Sequence, residues 1–201
     1  AEPRDDDVII TLGDYVDRGP DSQGVLDRLI ELKSTRELIA LRGNHDVMMV
    51  SARDEPLGRR DWLSYGGRQT LESYVEGEQE ASLDLVPTSH WRFLEDDLID
   101  WYEIDTHFFV HANVYPDIEL EEQPEFMLHW EHLYHPQPHC SGKVMVCGHT
   151  KQTSGEPLNL EHTLCLDTWV YGAGWLTCLD LLGGTYWQAN RKGERRTCVL
   201  D

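Results

Sequence analysis

The sequence predicts an α/β protein in which two groups of strands pack as sheets and helices cover them on the outside. Three observations predict this class. Short apolar runs alternate with amphipathic helical patterns early in the chain, and several short strands follow towards the end. The 201 residues, 40 % of them hydrophobic and including 7 Trp, are enough for a packed core. This length predicts a single domain spanning residues 1–201.

The composition excludes several classes of partner. There are 37 acidic residues against 17 basic ones, so the formal net charge is −20. This charge repels phosphodiester backbones and anionic lipid surfaces, which predicts that the protein binds neither nucleic acid nor membranes. No apolar run approaches the roughly 18 residues of a membrane span. The 5 cysteines contain no CxxC pair, which indicates reduced thiols and predicts a cytoplasmic location.

The first readable elements form a βαβ pattern. Val8–Leu12 is an apolar run typical of a strand buried on both faces. Asp21 or Ser22 can cap a helix that continues to about Lys33, and Leu38–Leu41 is the second strand. Polar segments follow the carboxyl ends of both strands, where open α/β sheets bind their ligands.

The rest of the chain divides into a helical middle and a strand-rich end. Helical patterns cover Asp61–Glu76, Pro87–Asp96 and a short stretch near Glu125–Leu133. Two strands flank the Asp105-Thr106 turn, and the end of the chain predicts an antiparallel meander with Gly183-Gly184 as a hairpin turn. These strands are Asp100–Ile104, His107–His111, Lys143–Cys147, Thr163–Asp167, Trp175–Leu181 and Thr185–Ala189.

Four polar clusters each follow an apolar strand, and we expect these strand ends to converge at one sheet. Any one cluster alone is equally typical of an ordinary capped turn. Together they offer carboxylate, amide and imidazole donors, a set that suits Mn, Fe, Zn or Co, and the lack of thiolates argues against a structural zinc site. Two such ions about 3.5–4 Å apart are a common device for phosphoester hydrolysis. The candidate ligands are Asp14 in GDYVDRG, Asn44 in RGNHD, His111 in VHA and His149 in GHT.

Two arginines and one histidine complete the candidate chemistry. A guanidinium matches a pair of phosphate oxygens, although a surface salt bridge explains either arginine alone equally well. Beside the ligand cluster, phosphate binding is favoured for Arg18, and Arg42 is the second candidate. His45 can act as a general acid towards a leaving group, and Asp17 is the carboxylate that would orient it.

The quoted motifs resemble those of bacterial phosphoprotein phosphatases of the serine/threonine type, within the calcineurin-like metallophosphoesterases. GDYVDRG and RGNHD match the second and third motifs of that family, and the two histidine clusters match its later ones. The resemblance implies a four-layer α/β/β/α sandwich. It also implies a metal-dependent phosphomonoesterase that acts on phosphoserine and phosphothreonine in proteins, with phosphotyrosine as a further option, by direct attack of a metal-bound hydroxide.

The resemblance also implies roles for particular residues. Asp14 would bridge two divalent ions, with manganese expected first and iron or zinc as alternatives. Arg18 and Asn44 would contact the substrate phosphate, while His45, paired with Asp17, would protonate the leaving oxygen. The remaining assignments are metal ligation by Asn44, His111 and His149, and substrate binding by Arg42 and by Tyr171, which follows the C-terminal signature strand.

Two departures from the family pattern leave alternatives open. The first family motif, GDxHG, is absent from the sequence. Either a segment that carries it is missing, or the sandwich lacks its first strand and helix and has one incomplete metal site. Asn113–Lys143 holds no arginine, and Glu131 stands near the place of an expected phosphate contact. The substrate is expected to be a phosphoprotein or phosphopeptide. The alternatives are hydrolysis of diadenosine polyphosphates or another small phosphoester, and a degenerate module without catalysis.

Overall fold

The computed structural model describes Arg4 and residues 6–200, which divide into two compact units. The first unit ends at Ile99 and the second begins at Asp100. Each unit has its own hydrophobic core and its own sheets. Within this described part of the chain, no helix has the length and apolar character needed to cross a bilayer. The expectation of a single domain over 1–201 stays a prediction.

The first unit opens with the βαβ pattern. Strand β1 (Ile9–Thr11) pairs in parallel with β2 (Leu38–Ala40), and helix α1 (Ser22–Thr35) connects them. The side chain of Asp21 caps this helix by accepting a hydrogen bond from the backbone N–H of Gly24 at 2.9 Å. The predicted elements and the predicted cap are confirmed.

A run of helices follows β2. The first, α2, begins directly at Asn44 and was not predicted from the sequence. Its buried face carries Asn44, His45 and Asp46 beside Met49 and Ala52, so hydrophobic periodicity does not show it. The helices are α2 (Asn44–Asp54), α3 (Pro56–Trp62), a π-helical turn (Leu63–Gly67), α4 (Arg68–Ser73), a 3₁₀ turn (Leu83–Leu85), α5 (Thr88–Arg92) and a second π-helical turn (Phe93–Asp97).

The second unit holds a five-stranded sheet and a three-stranded sheet. The order of the larger sheet is β3-β4-β5-β7-β6, with β4, β5 and β7 parallel and the two edge strands antiparallel. The smaller sheet is antiparallel, in the order β8-β9-β10. The elements are β3 (Trp101–Glu103), β4 (His107–Val110), a 3₁₀ turn (Leu120–Glu122), α6 (Glu125–His129), β5 (Val144–Cys147), β6 (Leu158–Leu160), β7 (Thr163–Cys165), β8 (Leu176–Leu179), β9 (Thr185–Ala189) and β10 (Arg195–Val199).

The pairing of these strands corrects two predictions. The hairpin between β8 and β9 is confirmed, but β5 and β7 are parallel neighbours rather than part of a meander. Nor do the four motif-bearing strands share one sheet, because β1 and β2 form a two-stranded sheet while β4 and β5 lie in the five-stranded one. An apolar run predicts burial, whereas its pairing depends on the connection that leads to it.

Candidate functional site

The loop between β1 and α1 has an unusual backbone. Asp14, Asp17 and Arg18 adopt positive φ angles of 61°, 76° and 62°. Such conformations cost non-glycine residues about 1–3 kcal/mol each, persist only where the surroundings impose them, and concentrate at functional sites. The contacts that impose this loop come from α2 and from the segment around α3 and α4.

Asp46, in the first turn of α2, holds this loop against the RGNHD segment. Its carboxylate accepts backbone hydrogen bonds from Gly43 and Asp14 at 2.9 Å each and from Tyr15 at 3.0 Å. Burial raises the pKa of Asp46 to about 7, the negative charge of Asp14 acts in the same direction, and the three N–H donors oppose both. Asp46 was not among the residues predicted from the sequence. The position of Asp46 in the first turn of a polar helix is the feature that could have indicated its role.

Gly43 and His45 fix the Asp14 carboxylate against the start of α2. The backbone N–H of His45 donates to Oδ1 of Asp14 at 3.0 Å. A Cβ at position 43 would lie 2.3 Å from that same oxygen and 2.4 Å from the Asp14 nitrogen, so only glycine permits this approach. The first unit therefore carries Asp14 on its loop and Asn44 at the start of α2, the helix to which that loop is hydrogen-bonded.

The predicted pair of His45 and Asp17 is formed and buried. Nδ1 of His45 lies 2.6 Å from Oδ2 of Asp17, and the two residues are 3 % and 8 % exposed. Trp62 Nε1 donates to both carboxylate oxygens at 2.9 and 3.0 Å, and the Thr70 hydroxyl donates to Oδ1 at 2.8 Å. Neither Trp62 nor Thr70 was predicted from the sequence, because each lies on a helix that is remote in sequence from Asp17. The arrangement can hold an imidazole in one orientation.

The two arginines of the first unit have different surroundings. The backbone N–H of Arg18 donates to the Gly66 carbonyl at 3.3 Å, at a break in the helical run where Gly66 has φ 129°. The guanidinium of Arg42 donates to the carbonyls of Leu98 at 2.9 Å and Glu95 at 3.3 Å. Arg42 therefore holds the end of its own unit in place through these hydrogen bonds. Phosphate binding by either arginine stays a prediction.

In the second unit His111 and His149 follow the parallel neighbours β4 and β5. Nε2 of His111 lies 3.3 Å from Nδ1 of His149. Nε2 of His149 faces the Trp130 carbonyl at 3.0 Å. A carbonyl only accepts, so Nε2 carries the proton and Nδ1 keeps a lone pair. This outer contact is how proteins commonly orient a metal-binding histidine.

Each unit holds donor groups of the kinds that divalent manganese, iron or zinc prefers. The first unit supplies carboxylate and amide oxygens, and the second supplies paired imidazole nitrogens with an outer hydrogen bond. Tyr171 is less informative: its ring packs edge-on against Trp169 at 6.4 Å, and its carbonyl accepts from Arg191 at 3.1 Å. Its role at a substrate site stays a prediction.

Comparison with known proteins places this geometry in a family context. The sequence model of the calcineurin-like phosphoesterases matches residues 1–172. Serine/threonine-protein phosphatase 1 of Salmonella typhimurium is 40 % identical over 76 residues, 36 % of this chain and 33 % of that protein. Serine/threonine-protein phosphatase 2 of Escherichia coli is 33 % identical over 84 residues, 42 % of this chain and 36 % of that protein. The chain therefore matches only about a third of the length of these relatives.

Solved structures show the same fold at low identity. A proposed diadenosine tetraphosphatase superposes with a TM-score of 0.57 at 18 % identity, over 96 % of this chain and 81 % of that one. A cold-active protein-tyrosine phosphatase from a Shewanella species gives 0.55 at 15 % identity, over 94 % and 68 %. The expected α/β fold of the metallophosphatase type is confirmed.

Proposed function

Because the chain belongs to the calcineurin-like phosphoesterase family, we propose that it is a metal-dependent phosphomonoesterase that removes phosphate from phosphoserine and phosphothreonine in proteins. The observation that carries the proposal is the buried pair of His45 and Asp17, with 2.6 Å between Nδ1 and Oδ2. A proton donor held in this way serves a reaction whose leaving group departs as a poor, strongly basic oxyanion.

We assign metal binding to Asp14, Asn44, His111 and His149, with manganese as the first choice and iron and zinc as alternatives. Divalent ions bound there would acidify a water molecule and neutralise charge on the phosphate oxygens. Asp46 and Gly43 contribute by holding Asp14 in its strained conformation.

The protein's own groups would handle the proton and the phosphate. The Nδ1 atom of His45 is engaged by Asp17, so the proton for the leaving oxygen would come from Nε2. Asp17 stabilises the positive imidazolium before transfer, and Trp62 and Thr70 keep its carboxylate in place. The guanidinium of Arg18 has the shape to bind two phosphate oxygens.

The choice of a protein substrate rests on the motifs and on the names of the curated relatives. Both relatives are named serine/threonine-protein phosphatases. Two structural neighbours share the fold at 18 % and 15 % identity; one is called a diadenosine tetraphosphatase and the other a protein-tyrosine phosphatase. Dinucleotide polyphosphates and phosphotyrosine peptides are therefore the competing substrates to test.

The test compares these substrates with the manganese-loaded protein. We expect phosphoserine and phosphothreonine peptides to be hydrolysed with a higher kcat/KM than phosphotyrosine peptides or diadenosine tetraphosphate. The His45→Asn variant should lose turnover while metal per chain, measured by elemental analysis, stays unchanged. His107→Asn, at the start of β4, is the control and should keep full activity.

Two results would contradict the proposal. Preference for the dinucleotide would assign the chain to small phosphoesters. A protein that folds, binds no metal and turns over none of the substrates would be a non-catalytic module.

A further inference from the structure

A cavity in the second unit lies outside the residues assigned above. It has a volume of about 380 Å³ and lies between the segment after β4 and the segment after α6. Its wall includes Asn113, Phe126, Glu131, His132 and Tyr134. The volume is at the small end of ligand sites, the size for one large side chain rather than a whole cofactor.

The cavity borders the histidine pair of the same unit. The ring of His132, in its wall, stacks on the ring of His149 with 4.6 Å between centroids and 24° between planes. Glu131, also in the wall, directly follows Trp130, whose carbonyl accepts the hydrogen bond from His149. A group inside the cavity would therefore lie next to a residue that we assign to the metal.

The segment beside the cavity, residues 113–142, contains acidic residues but no lysine or arginine. This segment therefore has no permanently charged cation beside its carboxylates. Glu131 is only partly exposed, and among the residues that the structure describes no cation forms an ion pair with it. A carboxylate partly removed from water and without a counter-ion attracts a cation strongly. The segment's acidic residues are Asp117, Glu119, Glu121, Glu122, Glu125 and Glu131.

Aromatic rings complement that charge. Phe126 and Tyr134 lie in the wall and are 53 % and 74 % exposed, so their faces are accessible. An aromatic face attracts a guanidinium or ammonium group, most strongly where water is partly excluded. The combination of one carboxylate and two rings matches an arginine or lysine side chain better than an acidic or apolar one.

We propose that this cavity binds a basic side chain of the substrate, next to its phosphorylated residue, and that Glu131 is the anionic contact. The inference rests on the proposed function, because it names the class of phosphoprotein: one with arginine or lysine near the phosphate. The proposal also assigns a role to Glu131, which stands near the position where an arginine contact to phosphate was expected.

Binding to a catalytically inactive protein tests the proposal without relying on turnover. Fluorescent phosphoserine peptides carry one arginine, moved along positions on either side of the phosphate, or alanine throughout. Their Kd values are measured by anisotropy with manganese-loaded His45→Asn protein. At the best position we expect arginine to tighten binding about tenfold, as a partly buried charge pair would. Adding Glu131→Gln should reduce this preference to about twofold or less.

A matched substitution separates a local contact from the general acidity of the segment. Glu125→Gln removes the same charge from α6, outside the cavity wall, and should leave the arginine preference intact. Equal loss in both variants would overturn the proposal in favour of long-range attraction. The absence of any arginine preference, or one that survives Glu131→Gln, would also overturn it.

Turnover by the active protein distinguishes this proposal from the proposed function. If wild-type protein hydrolyses phosphopeptides without regard to arginine, only the inference about the cavity fails. If it hydrolyses no phosphopeptide but binds the arginine peptide through Glu131, the inference stands and the proposed reaction fails.

Discussion

Replacing Asp17 by asparagine isolates the role of the buried carboxylate behind His45. The oxygens of Asp17 lie 2.6 Å from His45 Nδ1, 2.9 and 3.0 Å from Trp62 Nε1 and 2.8 Å from the Thr70 hydroxyl. An amide has one oxygen, which would accept the hydrogen bonds from the tryptophan and threonine donors. The NH₂ group of the amide would then face the imidazole. The NH₂ group would engage the lone pair of Nδ1, so His45 could not carry protons on both ring nitrogens and would lose the cationic form that donates from Nε2.

The expected magnitude follows from what a general acid contributes. Proton donation accounts for about 10²–10⁴ in rate, so kcat for a phosphoserine peptide should fall at least about a hundredfold in Asp17→Asn. Loss of a charge-assisted buried hydrogen bond should also lower the free energy of unfolding by about 1–3 kcal/mol. Metal affinity should not change, because Asp17 is not among the proposed ligands.

The assay uses two substrates that differ in their need for a proton. A phosphoserine peptide releases a strongly basic alkoxide, whereas p-nitrophenyl phosphate releases a stable phenolate. Asp17→Asn should therefore reduce kcat for p-nitrophenyl phosphate less than about tenfold. Asp61→Asn, on the exposed side of α3, is the control and should leave both substrates unaffected.

An equal loss on the two substrates would refute this reasoning, since it would show that Asp17 acts on something other than leaving-group protonation. Loss of bound manganese in Asp17→Asn would refute it as well, by making the residue part of the metal site.

Two further predictions concern the residues that hold Asp14. Gly43→Ala places a Cβ 2.3 Å from the Asp14 carboxylate oxygen, so manganese affinity measured by titration calorimetry should fall at least about tenfold. Gly58→Ala, whose Cβ would meet only the Glu55 side chain at 3.6 Å, is the control and should bind normally. Unchanged affinity in Gly43→Ala would show that Asp14 does not ligate the metal. The pKa of Asp46 is raised from 3.8 to about 7, so the folded state holds a proton that the unfolded state has lost, and the free energy of unfolding of the metal-free protein should decrease as pH rises between those values. Asp46→Asn should flatten this slope by a few kcal/mol over the interval, as followed by urea denaturation; a parallel slope would contradict the assignment.

Local sequence patterns were sufficient to predict the helix and strands that carry the first two motifs. An apolar run ended by a turn, a capping aspartate and an amphipathic helix are all local features, so β1, α1 and β2 were predictable with their approximate bounds. The pairing of His45 with Asp17 was predicted from the two motifs although 28 residues separate them, and the structure places Nδ1 and Oδ2 2.6 Å apart. Helix α2 was not predicted because polar residues form part of its buried face, and buried polar residues add nothing to the hydrophobic periodicity of a helix.

The amino-acid sequence by itself determined the acidic charge, the motif residues and the strand-then-loop order that presents them. Only the tertiary structure decided which distant groups complete each motif: Trp62 and Thr70 reach Asp17 across 45 and 53 residues, and Arg42 reaches the Leu98 carbonyl across 56. It also decided that β5 and β7 run parallel. The physical reason is that hydrophobic periodicity reports the burial of each segment, whereas hydrogen-bond partners and strand order depend on how remote segments pack together.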